Sequence, residues 1–481
     1  MADTLRPGLR LRPNEHRALL VIGDLIASTV AMFAALYLWR QYLYQNLIDN
    51  GIKPRTAEIL VNYNIHIPFW FYLLPLGWLL LMAELYEPHT AARWRKTFRG
   101  IAIAAFVGLV VYALIFITSK EQNLPRVGVG AFLVFASLLT LGWRALFIRF
   151  YTSTGQQRRV LIVGAGKAGR TLAQIYNQLH PPPFALVGFI DDDAKKSRHS
   201  YDGFPVLGTS RKLLQIVDDY RISDLVMAIN RDIAGTTFQT ILDAQERGVE
   251  VIRMPILYEE IAQRVPIHHL ESDWLIRSFV DQLRVSILYE SVKRLMDILG
   301  GLVGMVILAI CYPFVALAIT IDSGRPIFYS QDRLGKGGQV FKIYKFRSMK
   351  QNAEADGEAK LASENDPRVT RVGDFLRRTR LDELPQFWNV LRGEMSLVGP
   401  RAERPELVAE FQKQIPFYRA RLLVKPGLTG WAQINYGYVA TVTETGVKLE
   451  YDLYYIKHRS LSMDFSVILR TVGTVLSRKG R

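Results

Sequence analysis

Leu376-Arg377-Arg378-Thr379-Arg380-Leu381-Asp382-Glu383-Leu384-Pro385-Gln386 runs on through Phe387-Trp388-Asn389-Val390-Leu391 to Gly393-Glu394-Met395-Ser396-Leu397-Val398-Gly399-Pro400-Arg401. Two adjacent carboxylates thus sit between a run of arginines and a Gly-Pro-Arg turn. Adjacent acids repel unless something positive holds them, and a divalent cation or a phosphate bracketed by guanidinium groups reconciles all these charges at once. That reading points to phosphoryl chemistry. The competing one is a solvated helix face with ordinary charge pairs, which is what most charge runs are. The stretch predicts short helices over Phe375 to Arg380 and Leu384 to Leu391, meeting at the acid pair.

Further motifs follow in a fixed order: Lys293-Arg294, Lys345-Phe346-Arg347-Ser348-Met349, Pro426-Gly427-Leu428-Thr429-Gly430-Trp431-Ala432-Gln433-Ile434-Asn435 and Tyr451-Asp452-Leu453-Tyr454-Tyr455. Together with the acid pair, this C-terminal part resembles the bacterial polyprenyl-phosphate sugar-1-phosphate transferases. These are the monotopic phosphoglycosyl transferases that initiate exopolysaccharide and capsule assembly. Four hydrophobic segments and a glycine-turn domain ahead of it resemble the long subfamily.

The resemblance implies a reaction and roles. Asp382 attacks the β-phosphorus of a UDP-sugar, UMP leaves, and undecaprenyl phosphate then takes the phosphosugar from the carboxylate. Asp382 and Glu383 are catalytic and hold Mg2+, with Glu383 orienting Asp382. Arg377 and Arg401 match positions expected to meet phosphate, and Lys345 and Arg347 are further phosphate-binding candidates. Implied partners are the UDP-sugar, undecaprenyl phosphate, membrane lipid, downstream glycosyltransferases of polysaccharide assembly and a second copy in a homodimer. The sugar, glucose, galactose or another, is left open. Two departures stand out: Ala402 follows Arg401 where many relatives have proline, and Asn435-Tyr436-Gly437-Tyr438 lacks the arginine many relatives carry there.

The 481 residues suffice for about three domains. A net charge of +16 suits nucleic acid, anionic lipid or phosphate substrates. Nucleic acid is set aside because the basic residues flank apolar runs, as a cytoplasmic membrane face selects. The single cysteine, Cys311, excludes an internal disulfide and reads as apolar filler. The arginine-bearing N-terminus and the long apolar run after it do not form a cleavable signal.

Apolar runs at about 18–39, 68–86, 99–118 and 128–148 predict a four-helix transmembrane bundle in a domain spanning 1–155. Arg6, Arg10, Arg12 and Arg17 precede the first run, Arg93, Arg95, Lys96 and Arg99 separate the second and third, and Arg149, Arg158 and Arg159 follow the fourth. The positive-inside rule then puts the N-terminus and everything after residue 150 in the cytoplasm, so the expected site is the cytoplasmic face of the bacterial inner membrane. Asp24, inside the first run, reads as a helix–helix hydrogen-bonding group.

Residues 156–275 read as a Rossmann-like α/β domain. Arg159 to Val163 is a strand, Gly164-Ala165-Gly166-Lys167-Ala168-Gly169 a glycine turn opening a helix, and Leu186 to Ile190 a second strand ending at Asp191-Asp192-Asp193. Gly164, Gly166 and Gly169 are cofactor-binding candidates. A catalytic dinucleotide, a regulatory nucleotide and a structural spacer all satisfy this pattern.

The catalytic domain, 276–481, opens on a fifth apolar run, 295–321, with basic residues at both ends: Lys293 and Arg294 before it, Arg325, Arg333 and Lys336 after it. Pro313 lies inside and removes a backbone donor, so a re-entrant helix that breaks at Pro313 and returns satisfies both flanks. The fold class is therefore a membrane protein, α plus α/β. Two rival readings compete with the transferase. A membrane nucleotide-sugar dehydratase or epimerase using NAD would need a Tyr-x-x-x-Lys pair, and Tyr289 and Lys293 have that spacing but abut the apolar run. A non-enzymatic membrane scaffold would tolerate substitution at Asp382 and Glu383.

Overall fold

A computed structural model describes residues 13–64, 69–86, 94–118, 126–151, 158–179, 182–196, 199–229, 235–270, 286–350, 366–437 and 441–476. It divides into two compact units, Met1–Val160 with Gln178–Leu186, and Leu161–Asn177 with Val187–Arg481. The domain junctions expected at 155/156 and 275/276 fall outside the described residues, as does the polar stretch 351–365, read from the sequence as a mobile loop over the site.

The first unit is helical: α1 (Pro13–Asp49), α2 (Pro54–Asn64), α3 (Leu74–Leu81), α4 (Trp94–Thr118) and α5 (Arg126–Tyr151). Segments Arg17–Asp49 and Val127–Arg149 are long and apolar enough to cross a membrane. Among the described residues the other two expected spans carry shorter apolar helices. The second is split into a 3-10 turn at Phe69–Leu73, the eight-residue α3 and a 3-10 turn at Ala83–Tyr86. Pro75, which lacks an amide and disfavours helix in the residue before it, sets a new helix start. The third is helical throughout within α4, and Thr97–Ala113 is its apolar stretch among the described side chains.

Asp24 has the partner that its place in an apolar helix requires. Arg144 Nη2 donates to Asp24 Oδ2 at 2.6 Å and Nη1 to the Leu85 carbonyl at 2.7 Å, with both ionic side chains fully buried. Removing one partner strands the other charge, a loss of about 3–5 kcal/mol. Arg144→Met should therefore unfold at lower temperature in detergent, and Asp24→Leu/Arg144→Met should recover most of the loss. A double variant no better than the single one would show that the ion pair is not what the bundle depends on.

The second unit carries a sheet of order β3-β4-β2-β1-β5-β6, formed by Arg159–Val163 (β1), Ala185–Ile190 (β2), Ser200–Tyr201 (β3), Phe204–Gly208 (β4), Asp224–Met227 (β5) and Glu250–Arg253 (β6). After β1 the chain builds outward on one side, then returns to the other edge of β1 with β5, which makes the end of β1 the switch point of a doubly wound sheet. Helices α6 (Lys167–Gln178), α7 (Leu213–Tyr220), α8 (Gly235–Glu246) and α9 (Met254–Ala262) complete this part. Leu161, Val163, Leu213, Ile216, Leu225 and Ile241 form its core.

Next comes α10, a single helix over Ile287–Ser323. It is continuous through Pro313, so the expected break there is absent; the proline removes one bond to the Ala309 carbonyl and the helix carries on. Packing explains the tolerance. Tyr312 stacks on Phe328 and Phe346, and Val315 and Ile319 join Phe346 and Leu376 in one cluster. Toward the other end a Cβ added at Gly300 or Gly301 would fall 2.5 Å from Leu397 Cδ1 or 2.7 Å from Leu391 Cδ2, and one at Gly304 would collide with the Phe387 ring. Glycine at those positions lets the helix lie against the domain that follows.

Both ends of α10 are tied to that domain. Lys293 Nζ donates to the Val398 carbonyl at 3.1 Å, Arg294 to the Val390 and Leu391 carbonyls, and Asp297 accepts from Ser396 Oγ and the Leu397 amide. At the far end the Val372 amide donates to Asp322 at 3.1 Å, and Arg347 Nη2 caps the carbonyls of Ser323 and Gly324.

The rest of the domain is the antiparallel hairpin β7 (Phe328–Leu334) and β8 (Val340–Phe346), then α11 (Arg371–Thr379), α12 (Gln386–Arg392), β9 (Ser396–Val398) and α13 (Pro405–Gln414), followed by β10 (Gly427–Thr429), α14 (Trp431–Asn435), α15 (Val442–His458) and α16 (Leu461–Leu476). Its main core gathers Val398, Phe411, Trp431, Leu449 and Leu453, and takes in Val265 and Ile267, fully or almost fully buried and upstream of the expected junction.

Candidate active site

The acid pair lies where α11 stops. Arg380 closes that helix in the left-handed conformation (φ 58°), and a single 3-10 turn, Leu381–Glu383, leads into α12. Such a turn puts successive side chains in different directions while keeping both carboxyl groups inside, each 7 % exposed. Glu383 Oε1 accepts from Arg401 Nη2 at 2.8 Å and Lys345 Nζ at 3.3 Å, with Arg380 Nη1 at 3.8 Å. Asp382 Oδ1 is buried with no hydrogen-bond partner among the described residues.

The electrostatics separate the two acids. Burial, then the negative charge of Glu383, pushes the Asp382 carboxyl up to about 6, against the pull of Lys345, Arg401 and Arg380. Burial raises Glu383 as well, but Arg401, Lys345 and Arg380 together outweigh it and hold that carboxyl far below the usual range. One acid is a fixed negative group clamped by cations; the other is a bare, more basic oxygen beside it.

Arg401 is aimed by backbone. β10 pairs with β9 in parallel, the Gly399 amide donates to the Thr429 carbonyl at 2.9 Å, and the Gly427 amide donates to the Pro400 carbonyl at 2.8 Å. A Cβ on Gly399 would collide with the Lys425 carbonyl, and one on Gly427 with the Gly399 amide. The Gly-Pro-Arg and Pro-Gly-Leu-Thr-Gly motifs are therefore two sides of one close backbone contact, each needing glycine where they meet. Behind it, Arg421 Nη2 donates to the Arg401 carbonyl at 3.0 Å and to Asp452 at 2.9 Å. Ala402, the departure noted after the Gly-Pro-Arg motif, is buried against Phe341 and Ile343 and leaves Arg401 on Glu383.

Of the sequence-derived phosphate candidates, Arg401 and Lys345 meet at Glu383. Arg347 does not: it lies beyond the end of β8 and caps α10, with Nε and Nη1 buried and unpaired among the described residues. Among the described residues Arg377 makes no bond to the acid pair; it is one of the positive groups, after Arg368, that lower the Asp366 carboxyl to about 2. Arg380 and Gln386 were not singled out from the sequence, yet Arg380 reaches Glu383 and Gln386 Nε2 is buried and unpaired one turn past Asp382. Their one visible signal was adjacency to the acids. Tyr289 and Lys293 both bond Asp464, at 2.8 and 3.0 Å, and so serve to fasten α10 to α16.

Residues 288–478 match the family model of the bacterial sugar transferases, and residues 82–255 match a CoA-binding domain. Over 192 residues the chain is 40% identical to an exopolysaccharide production protein of Rhizobium leguminosarum bv. phaseoli, an alignment that takes in 39% of this chain and 96% of that one. The chain belongs to the bacterial sugar transferase family. Another member, the UDP-N-acetylgalactosamine-undecaprenyl-phosphate N-acetylgalactosaminephosphotransferase of Aeromonas hydrophila, is 40% identical over 53% of this chain, which spans 60% of that relative's length. The UDP-galactose-lipid carrier transferase of Erwinia amylovora is 28% identical over 96% of this chain and 97% of its own.

In this bacterial sugar transferase, then, the acid pair lies within the matched transferase region and the glycine turn within the matched CoA-binding region. At that turn Gly164 has φ 108°, and a Cβ on Gly169 would collide with the Gly164 carbonyl, so these two glycines serve strand-to-helix packing. Gly166 has open space around it. Asp191, the first of the three acids after β2, is turned onto the loop: its Oδ2 accepts from the Ala165 amide and from Lys196 Nζ, both at 2.8 Å.

Proposed function

We propose that this protein transfers a sugar-1-phosphate from a UDP-sugar to undecaprenyl phosphate at the cytoplasmic face of the inner membrane, as the first membrane step of exopolysaccharide or capsule synthesis. The observation that carries this reading is the unequal acid pair, with Glu383 neutralised by Arg401 and Lys345 and Asp382 Oδ1 buried and bare. In the first step an Asp382 oxygen forms a bond to the β-phosphorus, the bond from that phosphorus to the bridging oxygen breaks, and UMP leaves. In the second a phosphate oxygen of the lipid attacks the same phosphorus and the Asp382 carboxylate is released. Arg401 and Lys345, held beside the acid pair, would also offset charge building up on the phosphoryl oxygens.

The donor set fits one Mg2+. No group of three or more potential ligand side chains gathers among the described residues, but Mg2+ is usually held by one or two carboxylates together with substrate phosphates. Asp382 and Glu383 would hold it, and it would neutralise charge on the diphosphate. Helix α10, tied to one domain at both ends, is read as lying in one leaflet with both ends on the cytoplasmic side.

The test is UMP release from UDP-glucose, UDP-galactose and UDP-N-acetylgalactosamine, with and without undecaprenyl phosphate. Lipid-dependent release with one donor is expected, together with its loss in excess EDTA and recovery with Mg2+. A folded preparation that releases UMP from none of them would favour the scaffold, and EDTA-insensitive release would remove the metal.

A further inference from the structure

The transferase domain does not close its own core. Helix α9 ends at Gln263 in the left-handed conformation (φ 53°), and the segment beyond it enters the transferase. Trp431 Nε1 donates to the Gln263 carbonyl at 3.0 Å, the Val265 amide donates to the Glu450 carbonyl at 3.0 Å, and Val265 and Ile267 fill the core against Leu449 and Leu453. The helix is clasped as well. Glu259 accepts from Lys457 Nζ at 2.9 Å and contacts His458 Nε2 at 3.0 Å, and Tyr258 donates to Glu450 at 3.1 Å. At its other end the segment returns to the α/β domain, where His269 Nε2 meets Thr171 Oγ1 on α6 at 3.0 Å, in the helix that opens on the glycine turn.

The contacts of Tyr258, Glu259, Val265 and Ile267 converge on α15, and α15 reaches the acid pair. Asp452, on the same helix as Glu450 and Lys457, bonds Arg421 at 2.9 Å; Arg421 bonds the Arg401 carbonyl at 3.0 Å; Arg401 bonds Glu383 at 2.8 Å. Each link is a direct hydrogen bond or ion pair between buried or half-buried groups. A shift of α15 therefore moves the guanidinium that neutralises Glu383.

We propose that α9 with Gln263–His269 is a control arm, through which the CoA-binding-like domain sets the activity of the transferase site. With the arm seated, Arg401 is held on Glu383 and the site is competent. With the arm loosened, α15 and Arg421 relax and the site loses its charge balance. Coupling of this kind requires an element that both sites bias, and the arm, anchored in one domain and packed into the other, occupies that position.

This rests on the transferase reading above, and the experiment separates the two. UMP release and amide hydrogen exchange are measured on the full-length wild type, Glu259→Gln and Tyr258→Phe, variants that delete clasp contacts remote from the acids. Expected are faster exchange over 263–269 and over 380–384, and a kcat lowered about tenfold with KM for the UDP-sugar little changed. A tenfold loss equals about 1.4 kcal/mol of transition-state stabilisation. Unchanged kcat in both variants overturns the arm, whether or not exchange over 263–269 rises; so does a kcat loss without faster exchange over 380–384. An inactive wild type would instead remove the transferase reading.

Discussion

Asp382→Asn is expected to lower lipid-dependent UMP release by about ten-thousand-fold, the scale of loss when a covalent nucleophile is removed. An amide is isosteric but cannot form the phosphosugar ester, so residual binding of UDP-sugar should persist while turnover stops. Mass spectrometry to exclude deamidation, followed by an active Asn variant, would sink the assignment. The wild type should show an acid limb, because protonation of the buried carboxyl, held up at about 6 without metal, removes the nucleophile, and bound Mg2+ should draw that limb below pH 6. The same shift has a sign for stability. The folded value lies above the ordinary 3.8, so the fold disfavours the ionised form. The stabilising contribution is present below about pH 3.8 and is lost as pH rises through about 6. Asp382→Asn should therefore melt higher than wild type at pH 8 and converge with it toward pH 4, as read by thermal unfolding in detergent.

Arg401→Gln is expected to reduce kcat by about a hundred- to a thousandfold, the cost of losing one preorganised charge-stabilising donor. It also removes a cation that lowers both acids, so the acid limb set by Asp382 should move to higher pH, with Lys345 still opposing the shift. Loss of rate with an unmoved limb would mean that Arg401 acts on substrate alone. Arg401→Lys should restore part of the rate but not the forked geometry that reaches Glu383.

The pattern of charge made the acid pair and its helices legible, because a 3-10 turn between two short amphipathic helices is a local affair. Arg401 was also found, through its Gly-Pro-Arg motif, but not its aim. That depends on Gly399 lying against Gly427, two residues 28 apart in sequence whose backbones touch. Lys345 and Arg347, two residues apart in one motif, were both phosphate candidates; only Lys345 lies within β8, and Arg347 past its end turns to the terminus of α10. Hydropathy located the apolar runs and could not see that Pro75 would interrupt one of them. Pro313 misled in the opposite sense, since stacking of Tyr312 holds α10 helical across the missing bond. The partner of Asp24 was invisible because Arg144 is 120 residues away.

The burial of Val265 and Ile267 in the transferase core bears on how this molecule can be cut and recombined. A fragment beginning where the family match begins, at residue 288, would carry a trench lined by Leu449 and Leu453 in place of two aliphatic side chains worth roughly 1.5–3 kcal/mol each. Expression fragments that keep Val265 and Ile267 retain this filling, and those that start later must supply replacement bulk. The transferase is thus less a detachable cassette than a body whose last piece is threaded in from upstream.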